Sequence, residues 1–110
     1  MSARVVLSTC PDRETAEHIA KELVEARLAA CVNVLPHIRS IYQWEGAVVQ
    51  ADEVLMIVKT TPERTAALCA RLVELHPYDM PEAIALDVAD GTEMYLGWVE
   101  ASVESEETPS

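Results

Sequence analysis

The chain has 110 residues, half of them apolar and a quarter charged, the usage of a single globular domain with one hydrophobic core. Its 8 basic and 19 acidic residues give a net charge of -11, which argues against nucleic-acid binding, because that binding depends on Lys and Arg neutralising phosphates. No apolar run approaches the ~20 residues of a membrane span, and three cysteines at wide spacing form neither a disulfide framework nor a CxxC metal or redox motif.

From the N-terminus, Ala3–Thr9 alternates Val5, Leu7 and Thr9 on one face with Val6, Ser8 and Cys10 on the other, the pattern of a strand rather than a signal peptide. The expected location is the cytoplasm. Pro11 breaks this strand. Asp12 is a good N-cap for a helix reaching about Ala26, with Ala16, Ile19, Ala20, Leu23 and Val24 on its apolar side and Glu17 and Lys21 spaced for an ion pair.

Cys31–Trp44 and Ala47–Thr60 follow as two long β-arms joined at Glu45-Gly46, where the Gly can take the positive φ of a tight reversal. At ~3.3 Å per residue each arm would reach roughly 45 Å, against a radius of gyration of about 13 Å for a compact chain of this size. One subunit is too small to cover such a ribbon, so identical subunits are expected to assemble on it. Pro36 marks a point where the first arm can bend or bulge.

Thr61 and Pro62 open a second helix with Leu68, Cys69, Leu72, Val73 and Leu75 as its stripe; it stops near His76 because a residue before proline is pushed out of the α region. Tyr78-Asp79-Met80-Pro81 reads as a loop, Ala83–Ala89 as a strand, and Glu93 to about Ser102 as a third helix with Tyr95, Trp98 and Val99 on one side. The order β-α-β-β-α-β plus a helix predicts an α+β, ferredoxin-like sandwich, one antiparallel sheet under two helices, over residues 1–102. An acidic tail at 103–110 is expected to be disordered.

For chemistry, His76 stands before a loop stiffened by Pro77 and Pro81 that also carries Tyr78, Asp79 and Glu82. Two readings of it stay open: a cap on the helix C-terminus, which is the default, or a metal ligand completed by carboxylates. Cys10, before a helix N-terminus, is placed to favour the thiolate. Lys59 either holds an anion or marks a strand's exit to solvent. Trp44 is either strand packing or one wall of a pocket between subunits, and Tyr95 and Trp98 read as anchors of the last helix. Nothing fixes a nucleophile, a base and an orienting group together, so an enzyme is not expected.

Five ordered segments carry a resemblance: Arg27-Leu28-Ala29-Ala30-Cys31-Val32-Asn33, Ser40-Ile41-Tyr42-Gln43-Trp44-Glu45-Gly46, Lys59-Thr60, His76-Pro77-Tyr78 with Pro81-Glu82, and Tyr95-Leu96-Gly97-Trp98. Over about Val5 to Ala101 the chain resembles the CutA family of divalent-cation tolerance proteins. The resemblance implies a ferredoxin-like homotrimer built by strand pairing about a three-fold axis, likeness to the PII regulators, and a link to copper and other divalent cations. Some members carry a Cys in the first strand and a His-His pair before Pro-Tyr; the matching positions here are Ser8, Leu75 and His76, so only His76 corresponds. Three functions follow as expectations. The first is a copper-binding or other divalent-cation-binding trimer using His76 with Cys10 or Glu82 nearby. The second is a PII-like sensor with a ligand cleft between subunits lined by Trp44, Lys59, Tyr78, Glu82 and Tyr95. The third is a trimeric scaffold for protein partners.

Overall fold

A two-residue turn organises the longest element of the computed structural model, which describes residues 2–104. Strands β2 (Cys31–Trp44) and β3 (Ala47–Thr60) pair through Trp44↔Ala47, leaving Glu45 and Gly46 as the whole connection. Both take positive φ, 50° and 80°, the signature of a type I′ turn, whose twist matches that of the paired strands. The sequence led us to expect this conformation of Gly46 alone. Glu45 shares it, because a two-residue turn of this type requires it at both positions.

Pro36 does interrupt the first arm. Leu35 pairs with Leu55 and Ile38 with Glu53, so Pro36 and His37 together oppose Val54 in a bulge, with His37 at φ 64°. The arms continue beyond it, and the molecule extends 54 × 27 × 22 Å with a radius of gyration of 15.0 Å. The bulge bends the ribbon without shortening it.

Strand β1 (Arg4–Cys10) lies beside β3, and β4 (Ile84–Asp87) pairs with the other edge of β1, giving the all-antiparallel order β2-β3-β1-β4. Helix α1 (Arg13–Glu25) connects β1 to β2 across β3, and α2 (Pro62–Leu75) connects β3 to β4 across β1, so two split β-α-β units interleave. Asp12 caps α1 as expected, its Oδ1 accepting from the Thr15 N–H at 2.7 Å. Glu17 turns back to Arg13 at 3.1 Å rather than forward to Lys21.

Both helices cover one face of the sheet. Ile19, Leu23, Leu68 and Leu72 close over Val6, Cys10, Val54, Met56 and Val58, all buried. The other face is left without a helix over most of its area. There the register aligns Leu86, Val5, Lys59 and Cys31 in one row and Ile84, Leu7, Ile57 and Asn33 in the next. Ile84 and Leu86 are 51% and 48% exposed.

Helix α3 (Glu93–Ser102) packs Val99 on Ala3 and Ala30 at the end of the sheet where β1 starts. Val103 joins the same cluster, and its carbonyl accepts from Arg64 Nε at 2.7 Å. The packed domain therefore runs one residue past the limit expected from the sequence. The remainder of the acidic tail, from residue 105 on, lies outside the described residues, as does Met1. Strand β4 is shorter than the expected Ala83–Ala89, because its ladder with β1 spans only Leu7↔Ile84 to Arg4↔Asp87.

Candidate functional site

Two prolines bring the candidate ligands together. Pro11 stops β1 directly after Cys10, and Pro77 stops α2 at Leu75, leaving His76 as its C-cap in an extended conformation with its N–H still bonded to Leu72 O at 3.0 Å. The two ends meet. His76 Nε2 lies 2.8 Å from the Thr9 carbonyl oxygen and 3.6 Å from Cys10 Sγ.

The hydrogen bonds assign the tautomer of His76. Nδ1 accepts the Tyr78 N–H at 3.1 Å, so the ring proton sits on Nε2 and is donated to Thr9 O. Tyr78 tilts against the imidazole at 4.6 Å between ring centroids, and its hydroxyl donates to Glu53 Oε2 at 2.7 Å. A chain of contacts thus runs from the end of β1 through α2 and the following loop to the bulge of the ribbon.

The electrostatics of this cluster favour protons and cations. Burial, reinforced by the negative charges of Asp12 and Glu53, pushes the Cys10 thiol up to about 11. The opposite had been expected, since Cys10 stands before a helix N-terminus; its side chain instead points into the core, and desolvation outweighs the helix dipole. Burial and the bond to Glu53 raise the Tyr78 phenol well above its ordinary value. Burial and the Glu53 charge also raise the carboxyl of Glu82.

Of the three residues expected to hold a metal, Cys10 and His76 are brought together, and Glu82 belongs to the cluster through the charge of Glu53. As they stand these residues do not form a resident metal site. Both ring nitrogens of His76 are engaged, the Cys10 thiol holds its proton, and among the described residues no group of three His, Cys, Asp or Glu side chains is placed to hold an ion. Ser8 is fully buried on the same face of β1 as Cys10, and its Oγ has no hydrogen-bond partner among the described residues.

The expected cleft residues are dispersed within one chain. Trp44, 51% exposed, stands at the turn of the ribbon, while Lys59 pairs with Cys31 at its far end, a separation of roughly 40 Å along the strand. Tyr78 sits at Glu53, and Tyr95 lies on α3 against Trp98 at 5.5 Å between centroids. A pocket shared by all of them needs more than one chain. His18 is exposed, and His37 lines an open cleft of about 350 Å³ with Asp12, Arg13, Asp52 and Glu53.

Glu53 is the residue that sequence reasoning missed. Its carboxylate bears on Cys10, Tyr78 and Glu82 at once. Its position carried no signal of this role: Glu53 pairs with Ile38, just beside the Pro36 bulge, and the loop that folds against it is far along the chain.

Comparison with known proteins bears on the whole chain. The family model described as CutA1 divalent ion tolerance protein matches residues 4–102. The divalent-cation tolerance protein CutA of Thermus thermophilus is 52% identical over 95 residues, covering 86% of this chain and 92% of that protein. The crystal structure of CutA from Xylella fastidiosa superposes with a TM-score of 0.92 at 40% identity, covering 94% of this chain and all of that one. A CutA structure from Archaeoglobus fulgidus, described as a periplasmic divalent cation tolerance protein, gives a TM-score of 0.90 at 39% identity over 93% of this chain and 99% of that one. With its fold, its motifs and nearly its full length in agreement, this chain belongs to the family of CutA1 divalent ion tolerance proteins.

Proposed function

We propose that the protein is a cytoplasmic homotrimer of ferredoxin-like subunits that serves metal tolerance by binding a divalent cation, copper first among them, without catalysing a reaction. The observation that carries this reading is the thiol of Cys10 at 3.6 Å from the imidazole of His76, a soft donor beside the commonest biological ligand for copper. The carboxylates of Glu53 and Glu82 and a net charge of -11 favour a cation there. The cation is cargo, taken up against a proton, since the Cys10 thiol must ionise to become a ligand, while the ring proton of neutral His76 has only to move from Nε2 to Nδ1 to free Nε2.

Trimerisation is supported by the sheet face that no helix covers and by the length of the ribbon. Titration of the protein with copper, beside a His76→Ala variant, tests the assignment. Affinity should fall at least about tenfold in the variant, and in the native protein it should rise with pH; equal affinity in both proteins removes His76 from the site.

A second reading, a PII-like sensor, is favoured by the half-exposed aromatic rings of Trp44 and Tyr95, at 51% and 45%. In that reading a cleft between subunits unites Trp44, Lys59, Tyr78, Glu82 and Tyr95 around a small ligand. A third, a scaffold, differs in predicting partner capture that is indifferent to chelators.

A further inference from the structure

Helix α2 begins on a hydroxyl that has no hydrogen bond. Thr61 is its N-cap and is 4% exposed, but its side chain bonds neither to the N–H groups of the first turn nor to any other described residue. An N-cap threonine ordinarily makes that bond. Ser8 has its unpaired oxygen sealed in the core, whereas Thr61 lines an open cleft of about 490 Å³, where its hydroxyl is available to a ligand. Pro62, at the first helical position, has no N–H, so the first amide the helix can offer is that of Glu63.

The cleft lies between the first turn of α2 and the last turn of α3, and Glu63, Arg64, Glu100, Val103 and Glu104 complete its lining. Arg64 gives its Nε proton to Val103 O at 2.7 Å, and its two terminal nitrogens have no partner among the described residues. Glu100 accepts the Ser2 N–H through Oε2 at 3.2 Å, and Glu104 is exposed. This is the end of the sheet where β1 starts, far from the ribbon turn. None of the lining residues belongs to the two open-face rows or to the ribbon aromatics that neighbouring subunits would cover.

Two kinds of charge therefore share one cleft. The Thr61 hydroxyl, the Glu63 N–H and the Arg64 guanidinium make a donor end suited to a carboxylate, and the positive end of the helix dipole adds to it. The carboxylates of Glu63, Glu100 and Glu104 make an acceptor wall suited to ammonium groups. A bare anion such as phosphate would face three carboxylates, and a bare diamine would set a cation against Arg64. A ligand with one carboxylate and more than one cationic group meets both ends, and the volume lies in the ordinary range of small-ligand sites. We infer that this cleft binds a free basic α-amino acid, its carboxylate held by Thr61, the Glu63 N–H and Arg64 and its two cationic groups by Glu63, Glu100 and Glu104. Three acids against one arginine select a ligand of net positive charge, which a neutral amino acid lacks. The site shares no residue with the Cys10–His76 pair, so its failure leaves the copper assignment untouched and the reverse holds as well.

The test is equilibrium dialysis of the full-length protein, stripped of metal, against isotopically labelled L-lysine. Lysine is expected to bind, and cadaverine, which is lysine without its carboxylate, should compete at least about tenfold more weakly. Thr61→Val, which removes only the hydroxyl, and Glu104→Gln, which removes one exposed charge, should each lower the affinity for lysine roughly threefold or more while keeping native circular dichroism. Glu104 makes no side-chain bond among the described residues, so its variant serves even where Thr61→Val fails to fold. Cadaverine that competes as well as lysine, or displacement of lysine by inorganic phosphate, overturns the inference. So does unchanged affinity in either folded variant, or the absence of bound lysine at millimolar concentration.

Discussion

His76 has a caged imidazole: one nitrogen receives the Tyr78 N–H, the other gives its proton to Thr9 O, and the ring lies against a phenol. The sequence made the position of this ring legible, because Pro77 must end a helix there, but not its state. Whether such a side chain caps or ligates depends on which strand end lies beneath it, and only tertiary packing decides that. Cys10 shows the same limit from the other side. Its place before a helix suggested an activated thiol, and burial reverses the direction. This reversal has a consequence for stability. The folded-state value of about 11 lies above the ordinary value of 9.0, so the neutral thiol favours the fold. The contribution is complete below pH 9 and is lost as pH rises through 11. Urea midpoints should therefore fall between these pH values, and the fall should be smaller in Cys10→Ala, which has no thiol to ionise.

At the scale of elements, the ribbon was the most legible part of the chain. Its β-branched content and its Glu45-Gly46 turn gave both arms to the residue, and Asp12 and Pro62 gave the starts of both long helices. The bulge was readable as a possibility at Pro36. What it does to Glu53 was not, since a carboxylate on a strand carries no mark of the loop that will fold against it. Strand β4 was overestimated for a related reason: alternation continues past Asp87, but pairing with β1 stops at Arg4. The turn supports a quantitative expectation. A Cβ at Gly46 would meet nothing within 4 Å, so Gly46→Ala isolates the backbone cost of its φ of 80°. That cost is about 1 kcal/mol for an L-residue, and it should appear as a lower urea midpoint with an unchanged slope.

For the whole molecule, the proposed trimer links assembly to stability. The ribbon bearing Ile41, Tyr42, Trp44 and Val48, all exposed in one chain, is the surface that identical neighbours would cover. Native mass spectrometry at micromolar concentration should record three times 12.1 kDa. The melting temperature should rise with protein concentration, because mass action stabilises whatever only the assembled state buries. A lone 12.1 kDa species with a melting point independent of concentration would remove the trimer and with it any cleft between subunits.

The open sheet face has a further meaning during synthesis. If the chain assembles as proposed, one newly released from the ribosome carries the half-exposed Ile84 and Leu86 of the open sheet face in water until its sisters arrive. Slow expression prolongs that wait by keeping sisters scarce, and crowding with strangers makes it hazardous. For a chain that assembles as proposed, yield in the cell becomes a race between finding kin and sticking to others.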